Sequence, residues 1–472
     1  MRSLVFILIG LCLLLMGGRL VQHGMFIDGL TYVSIARNMA EGLGSFWKPF
    51  YSEALYEQFY EHPPLALWLE SLLFRLFGDH FWVERLYCAL TVAGTIGLIR
   101  QIWQQLFSTA TDLRAWWPFA AILWVLNEDV YLSYPGNMLE CTMNLFCMGA
   151  VALLLARGTQ YRALAGAGLL LLAALLCKGP GALYPLAFFF FYRLAFREKS
   201  ARAWWHSSFL LLATSLFFFA ALWMYAPARH FLEQYFSRQV LASLAGQRSE
   251  TPVDSRFFIA ERVFNTNLPG IIPALVAWGI YYWRYRLRFS APVQSAAIFC
   301  FETGISAFLP IMLSVRQSAH YAVPSAPWIA MACAALIVPL LELWRRKIRS
   351  PQWLKWLPAF ATACILFWNV LQFGNIPSRF KRDLGDLFVI APHIPPRAHV
   401  GIHMQENEYA LMALYQRYGR HYLRTPESWQ DYIIVARNHT LPADFQEKYI
   451  KKELKTSDWD LYLKAATATP TH

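Results

Sequence analysis

The sequence predicts a polytopic α-helical membrane protein. About 11 helices span the bilayer, amphipathic helices lie on its external, periplasmic surface, and a small periplasmic α/β domain closes the C-terminus. Three observations carry that reading. Hydrophobic residues fill 57% of the 472 positions against 15% charged, with a mean hydropathy of +0.33, which suits a lipid-facing chain rather than a soluble globule. Apolar stretches of spanning length recur along most of the chain, and 19 Trp, 23 Tyr and 35 Phe supply aromatic belts for both interfaces. Basic residues gather in short runs between those stretches, such as Arg284, Arg286 and Arg288, or Arg345, Arg346, Lys347 and Arg349, the pattern of cytoplasmic loops. This distribution accounts for the net charge of +12, so the expected partner is the lipid bilayer and not nucleic acid.

A bilayer core is crossed by about 20 apolar residues in a helix. Segments near 3–22, 83–106, 116–131, 139–157, 163–178, 180–196, 206–226, 268–284, 293–313, 321–344 and 353–375 meet that requirement. The first begins like a signal peptide, but Met16-Gly17-Gly18-Arg19 is a poor cleavage site, and it reads as a retained anchor. The stretch 63–78, PPLALWLESLLFRLFG, is short and carries Glu70 and Arg75 in its middle, so it reads as a surface helix. Counting it as a span would invert every later loop and put the basic runs outside. An odd number of spans follows, with a membrane domain over 1–376, periplasmic loops at 23–82 and 227–267, and a periplasmic domain over 377–472. In that domain HVGIHM (399–404) and DYIIVA (431–436) read as strands and ENEYALMALYQRYG (406–419) as an amphipathic helix. All eight Cys lie in apolar stretches without CxxC or Cys/His spacing, which gives no sign of disulfides or a zinc site. No internal repeat or low-complexity segment is visible.

Ionisable groups at the ends of spans are costly and usually serve a function. Here they collect on the external side. Asp28 lies just past the first span in MFIDGLTYVSIARNMAEG, where Ile27, Leu30, Tyr32, Val33, Ile35 and Ala36 make one amphipathic face. An acid at the start of such a helix sits near its positive end, and an N-cap role is the plain alternative. Glu61 and His62 precede a proline pair in YEHPPL (60–65), and Glu140 opens the fourth span. Lys178 closes a span in LLCKGPGALYPL, where Gly179 and Pro180 break the helix and expose backbone amides, a setting suited to an anion. In SVRQSAHYAVPSAP, Arg316 and His320 are four residues apart and share a face if helical, and Arg85 opens the second span on the same side. Cations at headgroup depth favour a phosphate whose hydrocarbon tail remains in the bilayer. A nearby carboxylate can deprotonate an acceptor hydroxyl, and a lipid phosphate already leaves well, so glycosyl transfer by single displacement with inversion needs no general acid.

These pieces, in this order, resemble the GT-C glycosyltransferases, in the bacterial branch similar to protein O-mannosyltransferases and the lipid A aminoarabinose transferase. The matching residues are Asp28 with Tyr32 and Ala36, YEHPPLALWLESLLFRLFG with Arg85, the acid Glu140, KGPGALYPL, and RQSAHYAVPSAP. The resemblance implies a polyprenyl-phosphate-linked sugar as donor, an extracytoplasmic acceptor (lipid, protein or polysaccharide), and an inner-membrane enzyme with its active site facing the periplasm. Asp28 is then the catalytic base, and the carboxylate of Glu140 is counted with it among the catalytic residues. Lys178, Arg316, His320 and Arg85 hold the donor phosphate, and Tyr32, Glu61, His62 and Tyr321 bind substrate. Gly29 stands where many members carry a second acid, so no cofactor is assigned and a divalent metal stays open. The tryptophan-rich signature of oligosaccharyltransferases is missing. The alternative function is a transporter or flippase of lipid-linked sugars, a class that usually shows repeats and midplane charges. A structural protein whose external domain binds a partner is the third reading.

Overall fold

The computed structural model describes residues 1–197, 201–244, 255–286, 288–314, 317–347, 356–403, 408–424, 430–439, 445 and 447–465. They form two compact units, one of Met1–Leu20, Tyr60–Ala66 and Arg85–Leu371, the other of Val21–Phe59, Leu67–Glu84 and Gln372–His472.

The first unit is the helical membrane part. Among the described residues, seven helices are long and apolar enough to cross a bilayer: Arg2–Val21, Phe81–Leu106, Leu139–Arg157, Tyr161–Lys178, Trp204–Trp223, Ala291–Leu313 and Ala319–Lys347. An eighth arises if Phe258–Thr266 and Leu268–Arg284, bent by 64°, count as one span. The other apolar segments are shorter or broken, for readable reasons. Over 116–131 the chain makes Trp117–Val125, then stops where the Asn127 side chain accepts the Asp129 amide and caps Glu128–Ser133. Over 180–196, Pro180 and Pro185 hold Pro180–Ala187 as a 3₁₀ helix before Phe188–Phe196 continues as α-helix. Leu357–Leu371 has 15 residues.

Small residues let backbones approach in this unit. A Cβ on Gly10 would meet Thr362 at 2.9 Å, and one on Gly17 would meet Asn369 at 2.6 Å. Both partners use the space, Thr362 Oγ1 donating to the Phe6 carbonyl and Asn369 Nδ2 to that of Leu13. Large side chains such as Phe209, Phe217, Phe360 and Phe367 stay exposed, as lipid-facing positions require.

The second unit holds a hairpin, β1 (Gly44–Ser45) and β2 (Lys48–Pro49), and a five-stranded sheet of β3 (His399–His403), β4 (Tyr422–Arg424), β5 (Tyr432–Ala436), β6 (Tyr449–Lys452) and β7 (Trp459–Lys464). The order is β4-β3-β5-β7-β6, with β3 parallel to both neighbours and β7 antiparallel to β5 and β6. The middle residues of β3 and β5 are buried, which explains why HVGIHM and DYIIVA read as apolar runs. The small C-terminal domain is therefore β-rich. The Leu65–Phe77 helix, at 13 residues about 20 Å long, is too short to cross a bilayer.

The helix Ile27–Ala40 is enclosed on more than the single face that its periodicity suggests, with Gly29, Leu30, and every residue from Tyr32 to Met39 buried. The reason is the C-terminal segment, whose Leu387, Leu411, Leu414 and Tyr415 share one core with Leu30, Val33, Ala36 and Phe74. Asn38 donates to the carbonyls of Phe50 and Tyr51, and Gln416 Nε2 donates to the Tyr51 carbonyl, which ties the 43–59 loop to both segments.

A buried charge cluster completes this core. Arg417 donates to Glu84 at 2.6 Å and to Asp79 at 2.6 Å, with Arg37 and Arg420 also paired to Asp79. Burial alone would raise the Asp79 carboxyl, but Arg417, Arg37 and Arg420 outweigh it and hold the group below its ordinary value. Burial, with Arg417 alongside, lowers Arg37 to about 10. A carboxylate held below its ordinary value contributes stability that is present above about pH 4 and lost as pH falls through the depressed value. Thermal unfolding of the full chain in detergent should thus show a melting temperature that is level from pH 7 to about 5 and drops below about 4. Asp79→Asn should flatten that acid limb, and an unchanged limb would exclude Asp79 as its source. Glu84→Gln, which leaves Arg417 buried with less compensation, should cost about 3–5 kcal/mol.

Candidate functional site

The site belongs to the membrane unit and is built from helix ends. Glu140 is in the first turn of Leu139–Arg157, Lys178 is the last residue of Tyr161–Lys178, and His320 and Tyr321 lie in the 3₁₀ turn that opens Ala319–Lys347. Alternating chain direction brings all of them to one end of the bundle. Lys178 Nζ is 3.1 Å from Glu140 Oε1 and 3.4 Å from His62 Nε2, and it stands over the Tyr321 ring at 5.5 Å. His320 Nε2 is 3.8 Å from the same Glu140 oxygen. The ring of His62 can accept from the ammonium only through an unprotonated Nε2.

Burial sets the electrostatics. The Glu140 side chain is 3% exposed and that of Lys178 12%, so neither charge would be tolerated without the other. Their contact is an ion pair without hydrogen-bond alignment, and Glu140 Oε2 is buried with no hydrogen-bond partner among the described residues. Two further residues of the Glu140 helix, Thr142 and Asn144, are tied to neighbouring segments. Tyr87 pairs with Thr142 and donates to the Ala66 carbonyl, while Trp328 Nε1 donates to Tyr184, whose hydroxyl donates to Asn144.

The Lys178–Glu140 pair opens on a cavity of about 300 Å³ with mostly apolar walls. Glu61, His62, Glu140, Lys178 and Tyr321 line it, as do Met143, Pro310, Ile311 and Pro324. A mixed wall of this kind, apolar with a few convergent polar groups, is what a small-molecule site needs. Sequence reading missed Tyr235, Gln239 and Ser243, which also line the cavity and lie in the 227–267 loop. Only the amphipathic pattern of HFLEQYFSRQV marks that loop, and it does not single out these positions.

Four further residues are expected at the site from the sequence. Arg85 is buried and donates to the Pro135 carbonyl at 3.2 Å, and it does not line this cavity. Arg316 lies outside the described residues. Asp28 and Tyr32 belong to the second unit. There the N-cap of Ile27–Ala40 is Phe26, so Asp28 is a half-buried residue of the first turn rather than the cap, and Tyr32 is buried. Among the described residues, no three His, Cys, Asp or Glu side chains converge in a way that could hold a metal ion.

The fold is similar to that of solved membrane proteins, and part of the chain matches one family model. Residues 61–225 match the model of the family described as dolichyl-phosphate-mannose-protein mannosyltransferase. Among solved structures, ArnT from Cupriavidus metallidurans in the apo state is similar over 99% of this chain and 99% of its own, at 16% identity and a TM-score of 0.64. The same protein bound to undecaprenyl phosphate is similar over 100% and 98%, at 16% identity and a TM-score of 0.62. The archaeal oligosaccharyltransferase AglB from Archaeoglobus fulgidus, in complex with an inhibitory peptide and a dolichol-phosphate, is similar over 100% of this chain and 75% of its own, at 12% identity and a TM-score of 0.50. No curated protein matches the chain. At these identities the likeness is one of fold.

Removing one member of a buried pair leaves the other uncompensated. Glu140→Ala is expected to lower the unfolding free energy by about 3–5 kcal/mol, and Lys178→Met/Glu140→Gln by clearly less. Thermal unfolding in detergent checks this, and equal losses would show the two charges to be independent.

Proposed function

We propose that the protein is an inner-membrane glycosyltransferase that moves a sugar from a polyprenyl-phosphate-linked donor to an extracytoplasmic acceptor. The observation that carries the reading is the buried Lys178–Glu140 pair with His62 and Tyr321 on an apolar-walled cavity at the helix ends, in a fold shared with a protein whose structure binds undecaprenyl phosphate. An apolar wall suits a lipid chain, and a cation at its rim suits the phosphate.

The acceptor hydroxyl attacks the anomeric carbon on the face opposite the phosphate. A new C–O bond forms there while the bond from that carbon to the phosphate oxygen breaks, and the electron pair leaves with the polyprenyl phosphate. Asp28 takes the hydroxyl proton as general base, and the sugar carbon inverts. Lys178, His320 and Arg316 stabilise the charge that the phosphate gains, with Glu140 keeping the lysine charged. Tyr32, Glu61, His62 and Tyr321 contact substrate.

The membrane part takes eleven spans in this reading: the seven long helices, the bent pair, and the shorter pieces 117–133, 180–196 and 357–371. Residues 1–376 are the catalytic membrane domain, and 377–472 the external domain. The basic runs at 284–288 and 345–349 face the cytoplasm, so the site and the C-terminal domain face the periplasm.

Asp28→Asn should abolish sugar transfer in reconstituted vesicles while donor binding persists. Undiminished transfer would remove Asp28 as base, and sugar movement across the vesicle without a new glycosidic bond would favour a transporter. Lys178→Met/Glu140→Gln should weaken donor-lipid binding, and unchanged affinity would remove the phosphate site. For sidedness, Ser378→Cys should react with a membrane-impermeant maleimide in intact cells with a permeabilised outer membrane, and Arg288→Cys should not; the reverse pattern would invert the topology.

A further inference from the structure

The helix that carries Lys178 ends against a residue that no motif singles out. The Lys178 carbonyl is among the last four of its helix, which have no intrahelical donor. Tyr235, 57 residues away, donates its hydroxyl to that carbonyl at 3.1 Å. The contact depends on the neighbouring glycine. Gly179 has φ +100°, and a Cβ there would stand 1.9 Å from the Tyr235 hydroxyl oxygen, so only glycine both takes this backbone shape and admits the hydroxyl. Tyr235 is 4% exposed, and a phenol buried that deeply is costly without a partner. Its own helix, Ala226–Tyr235, is followed by residues 239–243, which supply part of the cavity wall, so one bond joins that wall to the turn that bears the cation.

A lysine at a helix end ordinarily swings out to the interface, since its stem is flexible and the last turn frays. Holding the Lys178 carbonyl fixes the peptide plane on which that stem is mounted. Resting on the reading that Lys178 holds the donor phosphate, we infer that Tyr235 is the positioning residue of this cation. Its hydroxyl, admitted by Gly179, locks the end of the helix so that Lys178 Nζ stays beside Glu140 and His62 in the cavity.

The test uses the full chain in detergent and two probes that differ only by the phosphate group, undecaprenyl phosphate and undecaprenol. Tyr235→Phe keeps the ring and deletes the bond. It should weaken undecaprenyl phosphate binding about three- to tenfold, the worth of one hydrogen bond, and leave undecaprenol affinity unchanged. Gly179→Ala, which displaces the hydroxyl, should have the same sign, and the double variant should be no weaker than Gly179→Ala alone because both act through one bond. Unchanged phosphate affinity in Tyr235→Phe overturns the inference, as does an equal loss for both lipids, which would mean that the residue merely shapes the cavity. Lys178→Met/Glu140→Gln separates the two claims. If that variant loses its preference for the phosphate while Tyr235→Phe keeps it, the site stands and the positioning role falls. If it keeps the preference, the phosphate site falls and the positioning role with it.

Discussion

A charge taken out of water has to be met by another charge, and both units of this protein are organised by that demand. In the membrane unit Lys178 and Glu140 are buried as a pair, and the helix ends around them are arranged so that neither stands alone. In the second unit Arg417 is enclosed with Glu84 and Asp79, and it can be because two carboxylates reach it. Such pairs contribute little net stability compared with an apolar core, but they are unforgiving of a missing partner.

Helix breaks place the membrane-unit pair. Gly179 ends one helix and Pro180 and Pro185 prevent its resumption as a regular α-helix, so the backbone beyond Lys178 turns away as a 3₁₀ segment. A glycine at positive φ and two prolines thus create a polar helix terminus with an apolar wall on either side. This is the combination that an amphiphilic ligand requires, since its charged head and its chain need different surroundings within a few ångströms. The buried Tyr184, Trp328 and Asn144 chain beneath it supplies rigidity without exposing further charge.

The sequence read well where one physical rule dominates locally. Hydropathy located the long helices, and the short, charged stretch with Glu70 and Arg75 was recognisable as too short to span. It read less well where proline or capping chemistry acts inside an apolar run. The segment 116–131 is apolar enough to resemble one span, but Asn127 caps a second helix within it. The helix Ile27–Ala40 looked one-faced because part of what covers it comes from residues beyond 380, a distance that no periodicity records.

Lys178, Glu140, His62, His320 and Tyr321 were each nameable from the chain, because ionisable or aromatic groups at the ends of spans stand out against apolar neighbours. That the first three meet on one oxygen, one imidazole and one ammonium was decided only by the packing of separate helices. Tyr235 had no such contrast and could be found only in three dimensions. Its significance comes from a carbonyl 57 residues away and from the absence of a Cβ on Gly179. Composition and hydropathy are sums over neighbours in the chain and so determine membrane class and span positions. A hydrogen bond depends on distances between atoms, and only the tertiary structure sets those.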